Sequence, residues 1–326
     1  MIIIKSNITA QGSRCLGEHA FSAGFKVPVY EVTELSALNQ LVSYAKYCNN
    51  EYGNIYYRGV SDLYPNVMPA LMRTRTCGAA EDLVKLLHTI GEDSYMSQSL
   101  ALTPQIEAKT ELQKKENKRI RKYNGYVVEA MLQHYSGSTR FLDLVDNHWI
   151  ALWMGLHRFR MRGDKLGYCR CERRTIDALD TFDIIANSEG AIKYNPYLYI
   201  LMIALPYMPH VGRGVREGNE FVEVDLRKAL PSVYLRPHAQ HALVARRRVA
   251  GNTENSAAYF DMAGQVVGII RIRIDRVRDW IGNGGLMTAE NLFPSPAVDT
   301  GYNTLLLNES RLADKFGNQI RIIRYF

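Results

Sequence analysis

Four runs between residues 197 and 274 constrain the fold more than any other feature of the chain. They are YLYILMIAL (197–205), EFVEVDL (220–226), ALVARRRV (242–249) and QVVGIIRIRI (265–274). Each is rich in β-branched residues or alternates polar with apolar, which is the pattern of strands. The first half reads differently. VTELSALNQLVSYAKYC (32–48) sets Leu35, Leu38, Leu41, Val42 and Ala45 at helical spacing, with Thr33 placed to cap the helix. YVVEAMLQHY (126–135) repeats that spacing, and HWIALWMGLHRF (148–159) predicts an aromatic-rich helix capped by Asn147 or Asp146. The stretch 81–122 is polar and helical in character. MIII at the start predicts a strand, and LLLNESRLADKFG (305–317) predicts a helix before a last strand, QIRIIRYF. Helices first and strands later predict an α+β fold, with a helix-rich N-terminal half followed by a mostly antiparallel sheet.

The 326 residues are enough for one elaborate domain or two smaller ones, and no repeat or low-complexity block divides them. A single domain over 1–326 is the reading adopted. Hydrophobic residues make up 47% and charged ones 22%, which excludes a disordered chain. Forty Lys plus Arg against 33 Asp plus Glu give a net charge of +7, which permits a nucleic-acid or anionic partner. MIIIKSNITA is too short for a signal peptide or membrane helix, and five dispersed cysteines suit a reducing cytoplasm. The Cys169–Cys171 spacing has no second pair to complete a zinc site, so no metal is expected. His238 and His241, three apart, do not make one alone.

Chemistry-bearing residues gather in three places: YRGVSD with PALMR (57–73), LQHYSGSTRFLDL (132–144), and RPHAQHALVAR (236–246). In the first, Arg58 follows a strand-like run and precedes Gly59. A guanidinium on a strand end offers a restrained fork to a diphosphate. The middle stretch offers Gln133, His134, Tyr135, Ser138, Thr139, Arg140 and Asp143 around one turn. Asp143 pairs with either Arg140 or Arg58 in this reading. KTELQKKENKRIRKY (109–123) and Arg246–Arg248 read as solvated basic faces, with a nucleic-acid contact as the functional alternative. No Walker-type or dinucleotide-type glycine loop is present.

The Y-R-G and S-D pair, P-A-L-M-R, and L-Q-H-Y-x-G-x-T-R-x-L-D-L followed by an aromatic helix resemble the FRG domain, a family named for its Phe/Tyr-Arg-Gly motif. The resemblance covers about 54–158 well and reaches weakly to RPHAQHAL, with the strand-rich part at 195–326. The chain departs from it in the extra Ser136, in Leu144 where Trp is usual, and in Ala242 where Gly is expected. The strand ending in Y-R-G is also similar, more distantly, to the first conserved strand of arginine-type ADP-ribosyltransferases. That resemblance implies a split β core with added helices, and NAD as substrate. It implies Arg58, Thr139, Gln240 and His134 as catalytic residues, with Tyr57, Arg58, Gly59, Tyr135, Ser138 and Arg140 around the nucleotide. The implied product is an ADP-ribosylated nucleic acid or protein, made by a toxin or phage-defence effector in the cytoplasm. The glutamate of that chemistry has no match: Gln240 holds its place, and Glu220 and Glu223 lie on another strand. A non-catalytic nucleotide or nucleic-acid sensing module using the same pocket is the alternative.

Overall fold

The computed structural model describes residues 1–8, 10–74, 125–136, 139–161, 167–174, 195–248, 257–282, 285–310 and 322–325. The chain opens with a hairpin of strands β1 (Ser13–Ala20) and β2 (Lys26–Val32), followed by helix α1 (Leu35–Cys48) and strand β3 (Gly53–Val60). A short helix α2 (Ala70–Thr74) precedes helix α3 (125–136), strand β4 (Leu142–Val145) and helix α4 (His148–Leu156). Strands β5 (His157–Met161) and β6 (Tyr168–Arg173) form a second hairpin. Then come β7 (Tyr197–Pro206), β8 (His210–Gly212), β9 (Val215–Glu217), β10 (Phe221–Asp225), helix α5 (Leu235–Ala239) and β11 (Ala242–Arg247). Strand β12 (Val266–Arg273), helices α6 (Ile274–Ile281) and α7 (Thr300–Leu307), and strand β13 (Arg324–Tyr325) end the described chain.

Ten strands form one sheet in the order β1-β2-β12-β7-β3-β4-β11-β10-β9-β8, and β13-β6-β5 form a smaller one. Within the large sheet only β12 and β2 pair in parallel, so the expected α+β class with a mostly antiparallel sheet holds. The four strand-like runs of the second half are β7, β10, β11 and β12. A helix-rich N-terminal half is not what forms. Residues 13–32 make a hairpin, because β2 is buried on both faces, Val27 and Val29 on one and Tyr30 and Val32 on the other, and Val29, Tyr30 and Glu31 pair against β12. Residues 1–5 carry no strand pairing, although Ile4 is buried and its amide donates to the Val267 carbonyl. The expected helix over 81–122 and the basic run 109–123 lie outside the described residues.

α1 forms as its spacing predicts, burying Ala37, Leu38, Leu41, Val42 and Ala45. Thr33 does not cap it; Glu34 occupies the cap position, and the Thr33 hydroxyl donates to the Gly12 carbonyl. Asn147 does cap α4, accepting from the Trp149 amide. The helix stops at Leu156 rather than 159, and the chain turns directly into β5. The helix expected over 305–317 starts earlier, at Thr300 as α7, because Asp299 accepts from the Tyr302 amide; residues 311–317 of that run, and 319–321 and 326 of the expected last strand, lie outside the described residues. Among the described residues no helix is long and apolar enough to cross a membrane.

The sheet has helices on one face. α1 and α4 pack over β3, β7 and β12 through Tyr57, Ile200, Met202 and Ile270. α3 packs over β10 and β11 through Val222, Val224 and Val244. The opposite face carries a third apolar cluster with Tyr56, Leu142, Leu201 and Leu243. Between the two helical groups the sheet is nearly interrupted, since β3 and β4 register at one pair, Tyr57 with Val145.

Candidate functional site

Where β3 and β4 part, a cleft of about 600 Å³ opens between α3 and α4. Its floor is the end of β3 (Tyr57–Ser61) and the start of β4 (Asp143–Val145); its walls are Gln133 and His134 of α3, Ala151 and Met154 of α4, and His157–Arg160 of β5. Gln240, Ala242, Phe293 and Tyr325 close the far side. A volume of this size suits a small organic ligand.

Gly59 explains why α4 sits so close. A Cβ built on it would lie 1.7 Å from the Ala151 carbonyl oxygen and 2.8 Å from the Gly155 nitrogen, both backbone atoms. Only glycine lets helix and strand meet here. Gly59→Ala should therefore destabilise the fold by roughly 1–3 kcal/mol, the usual range for overpacking. Urea denaturation monitored by circular dichroism checks this; an unchanged midpoint would contradict the packing.

Arg58 is half-buried and its guanidinium donates to the Asp143 backbone carbonyl at 2.7 Å, bridging strands that no longer pair. Desolvation by the cleft walls lowers its pKa, with Arg73 adding to that effect and Asp143 opposing it. Burial likewise raises the carboxyl of Asp143 above the usual range, against the pull of Arg58. The arginines Arg58, Arg73, Arg158 and Arg160 all line the cleft, and among the described residues Asp143 is the one carboxylate that lines it. The cleft is thus built for an anion.

Gln133 ties the second motif together. Its Nε2 donates to Asp143 Oδ2 at 2.7 Å, while its Oε1 accepts from the Thr139 hydroxyl at 2.8 Å and amide at 3.1 Å. The Thr139 hydroxyl accepts in turn from the Phe141 amide. Thr139 therefore holds the turn and lies behind the cleft wall, since it is 2% exposed and is not a lining residue.

The other expected site residues divide. His134 and Gln240 reach the cleft. Gln240 Nε2 donates to the Leu292 carbonyl at 2.6 Å, and His134 Nε2 is buried without a hydrogen-bond partner. Tyr57 lines the cleft with its hydroxyl buried and likewise unpartnered. Tyr135 does not line it; its hydroxyl donates to Asp299, and its ring packs on Tyr234, Tyr302 and Arg236. Arg140 is also held away from the cleft. It forms a two-pronged pair with Glu129, 2.8 and 2.6 Å, so the open pairing of Asp143 with Arg140 does not occur. Ser138 lies outside the described residues. Arg246 is not part of a solvated edge. It is 4% exposed, lies 3.8 Å from Glu129 and stacks over Tyr126 and Phe141. Glu223 pairs with Arg216 and Tyr56 on the opposite face of the sheet, and neither it nor Glu220 lines the cleft. His241 faces Asp146, 3.2 Å away, and no group of three or more metal-ligating side chains occurs among the described residues.

Arg73, Gln133, Asp143, Arg158, Phe293 and Tyr325 complete the cleft beyond the residues given a catalytic or nucleotide-binding role from sequence. Arg73, Gln133 and Asp143 stand inside the two motifs, so the motifs were their signal. Phe293 and Tyr325 arrive from the distant C-terminal part and carry none.

Three half-buried histidines give the protein an acid-labile range. Desolvation lowers His134 to about 3 and His148 and His157 to about 4. In the unfolded chain each titrates near 6.5. Between pH 6.5 and 4 the unfolded chain therefore binds more protons, so their contribution is complete above 6.5 and is lost as the pH falls. A fully shielded group contributes up to about 1.4 kcal/mol per pH unit, and solvent reduces that for these partly exposed rings. Asp143, shifted upward, acts in the opposite sense. Urea midpoints should fall between pH 7 and 5, with a shallower fall for His134→Gln; a flat profile would contradict the burial.

No curated protein and no solved structure matches the chain. Residues 53–162 match the family model of the FRG domain, which spans β3 through β5 and supports the FRG resemblance carried by the two motifs.

Proposed function

We propose that the protein binds NAD in this cleft and transfers its ADP-ribose to a nucleic-acid or protein acceptor. The observation that carries the reading is the convergence of Arg58, His134, Asp143 and Gln240, from four separate segments, on one arginine-lined cavity. The Arg58 guanidinium supports it as the diphosphate ligand, since it is anchored by one bond to the Asp143 carbonyl and bears on the cleft. Phe159 and Phe293 supply aromatic surface for the nicotinamide end.

Cleavage at the nicotinamide ribose breaks the bond from its anomeric carbon to the ring nitrogen. Nicotinamide leaves neutral with the electron pair, and positive charge develops on the ribose. A carboxylate stabilises that charge and accepts the proton of the attacking nucleophile as the new bond forms. Asp143 is the carboxylate in reach, oriented by Gln133, and its raised pKa suits a base. Gln240 is placed to hold a ribose hydroxyl without adding charge.

A second reading has one observation in its favour. Among the described residues no glutamate lines the cleft, as a sensor that binds nucleotide without turnover would have it. Incubating the full chain with NAD labelled in the adenylate portion, with separate protein, DNA and RNA pools, separates the two. Label on one pool with release of nicotinamide is expected; binding without either product leaves the sensor.

A further inference from the structure

A second cavity of about 320 Å³ adjoins the first, and Arg58, Val60, Tyr64 and Arg73 line both. Its remaining walls include Phe21, Val67, Leu142 and Leu201, which belong to the apolar cluster on the sheet face opposite α3 and α4. The two cavities therefore lie on opposite faces of the sheet and meet where β3 and β4 part. Arg58 and Arg73 both stand at that junction, Arg73 lowering the pKa of Arg58, and among the described residues no carboxylate lines both cavities. Such a junction favours a compact ligand of high negative charge, which relieves the repulsion between the arginines.

We infer that a pyrophosphate sits at the Arg58–Arg73 junction with one organic half of the ligand in each cavity, so that the site selects dinucleotides over mononucleotides. This rests on the nucleotide reading above and adds the second chamber and Arg73 to it. The smaller cavity takes the adenosine half. Its walls are mostly apolar, as a purine requires, and Asp62 lines it. Asp62 Oδ1 accepts from Asn195 Nδ2 at 2.7 Å, and its Oδ2 remains to accept ribose hydroxyls. The larger cavity, with Asp143, His134 and Gln240, takes the half at which bond cleavage occurs. A nucleic-acid end fits less well. Its successive phosphates need a continuing basic path, whereas among the described residues the smaller cavity has only the two shared arginines.

Calorimetric titration of the full chain with NAD, AMP, nicotinamide mononucleotide and inorganic pyrophosphate tests this. NAD is expected to bind at least a hundredfold more tightly than either mononucleotide or pyrophosphate. Leu63→Trp, which fills the smaller cavity from its rim, should weaken NAD at least thirtyfold and leave nicotinamide mononucleotide within threefold. Arg73→Gln, at an exposed position that does not threaten folding, should weaken NAD and pyrophosphate at least tenfold. The inference is overturned if a mononucleotide or pyrophosphate binds as tightly as NAD, or if Arg73→Gln leaves NAD affinity unchanged. NAD held across both chambers but never cleaved would sink the transferase reading and leave this one standing.

Discussion

Arg58→Ala should abolish measurable NAD binding while leaving the protein folded. The side chain makes one hydrogen bond to the described protein, to the Asp143 carbonyl, and otherwise bears on both cavities. Loss of a desolvated, two-pronged contact to phosphate costs about 3 kcal/mol or more, which is at least a hundredfold in affinity. The fold loses one charge-assisted hydrogen bond but is relieved of a buried cation, so the melting temperature should move by only about 5 °C or less. Arg58→Lys keeps the charge and loses the fork, and should recover part of the affinity. Calorimetry beside a thermal melt reads both quantities. A collapse of the melt with Arg58→Ala would mean that the arginine acts chiefly as a strand bridge.

Arg140→Ala should do the reverse, destabilising the fold by about 3–5 kcal/mol because it strands a buried carboxylate. Glu129 is 1% exposed and accepts from Arg140 at three points: Nε, Nη2 and the backbone amide. Its carboxyl is lowered in pKa, with the two arginines overcoming the desolvation that would raise it. Arg246, 3.8 Å away, compensates only in part, since it is itself desolvated and lowered to about 10. Replacing Glu129 and Arg140 together by Met should be milder than Arg140→Ala alone, because no carboxylate is then stranded, although the buried Arg246 loses Glu129 as its partner. Urea denaturation of both variants tests the pair. Equal stability of wild type and Arg140→Ala would refute it.

These two arginines show which parts of the molecule are legible in the sequence. Arg58 and Arg140 both stand in motifs, and both read as candidates for an anion site. What separates them is what grips the guanidinium: the Glu129 carboxylate takes Arg140 at two points, whereas among the described residues Arg58 bonds only the Asp143 backbone carbonyl. Glu129 lies eleven residues before Arg140, on α3, whereas Arg140 stands beyond the end of that helix, and no local pattern announces that the chain folds the two together. The strands β7, β10, β11 and β12 were legible because alternation and β-branching act locally. The hairpin at 13–32 was not, since Gly17, Glu18 and His19 dilute the signal and a register shift separates Cys15 from Glu18. Tyr135 was ambiguous for a different reason. An aromatic next to His134 is equally compatible with the cleft and with the ring cluster around Arg236, and only packing decides. The walls formed by Phe293 and Tyr325 arise from chain crossings that no motif encodes.

We propose that the gap between β3 and β4 is a nucleotide site organised by Arg58. A crystal structure of the full chain grown with NAD tests it most directly. Phosphate oxygens should lie about 2.7–2.9 Å from the Arg58 guanidinium nitrogens, the distance of a charge-assisted contact. Asp143 should face the nicotinamide ribose in the same structure. NAD bound elsewhere, or an empty cleft with Arg58 still on the Asp143 carbonyl at saturating NAD, would contradict the account.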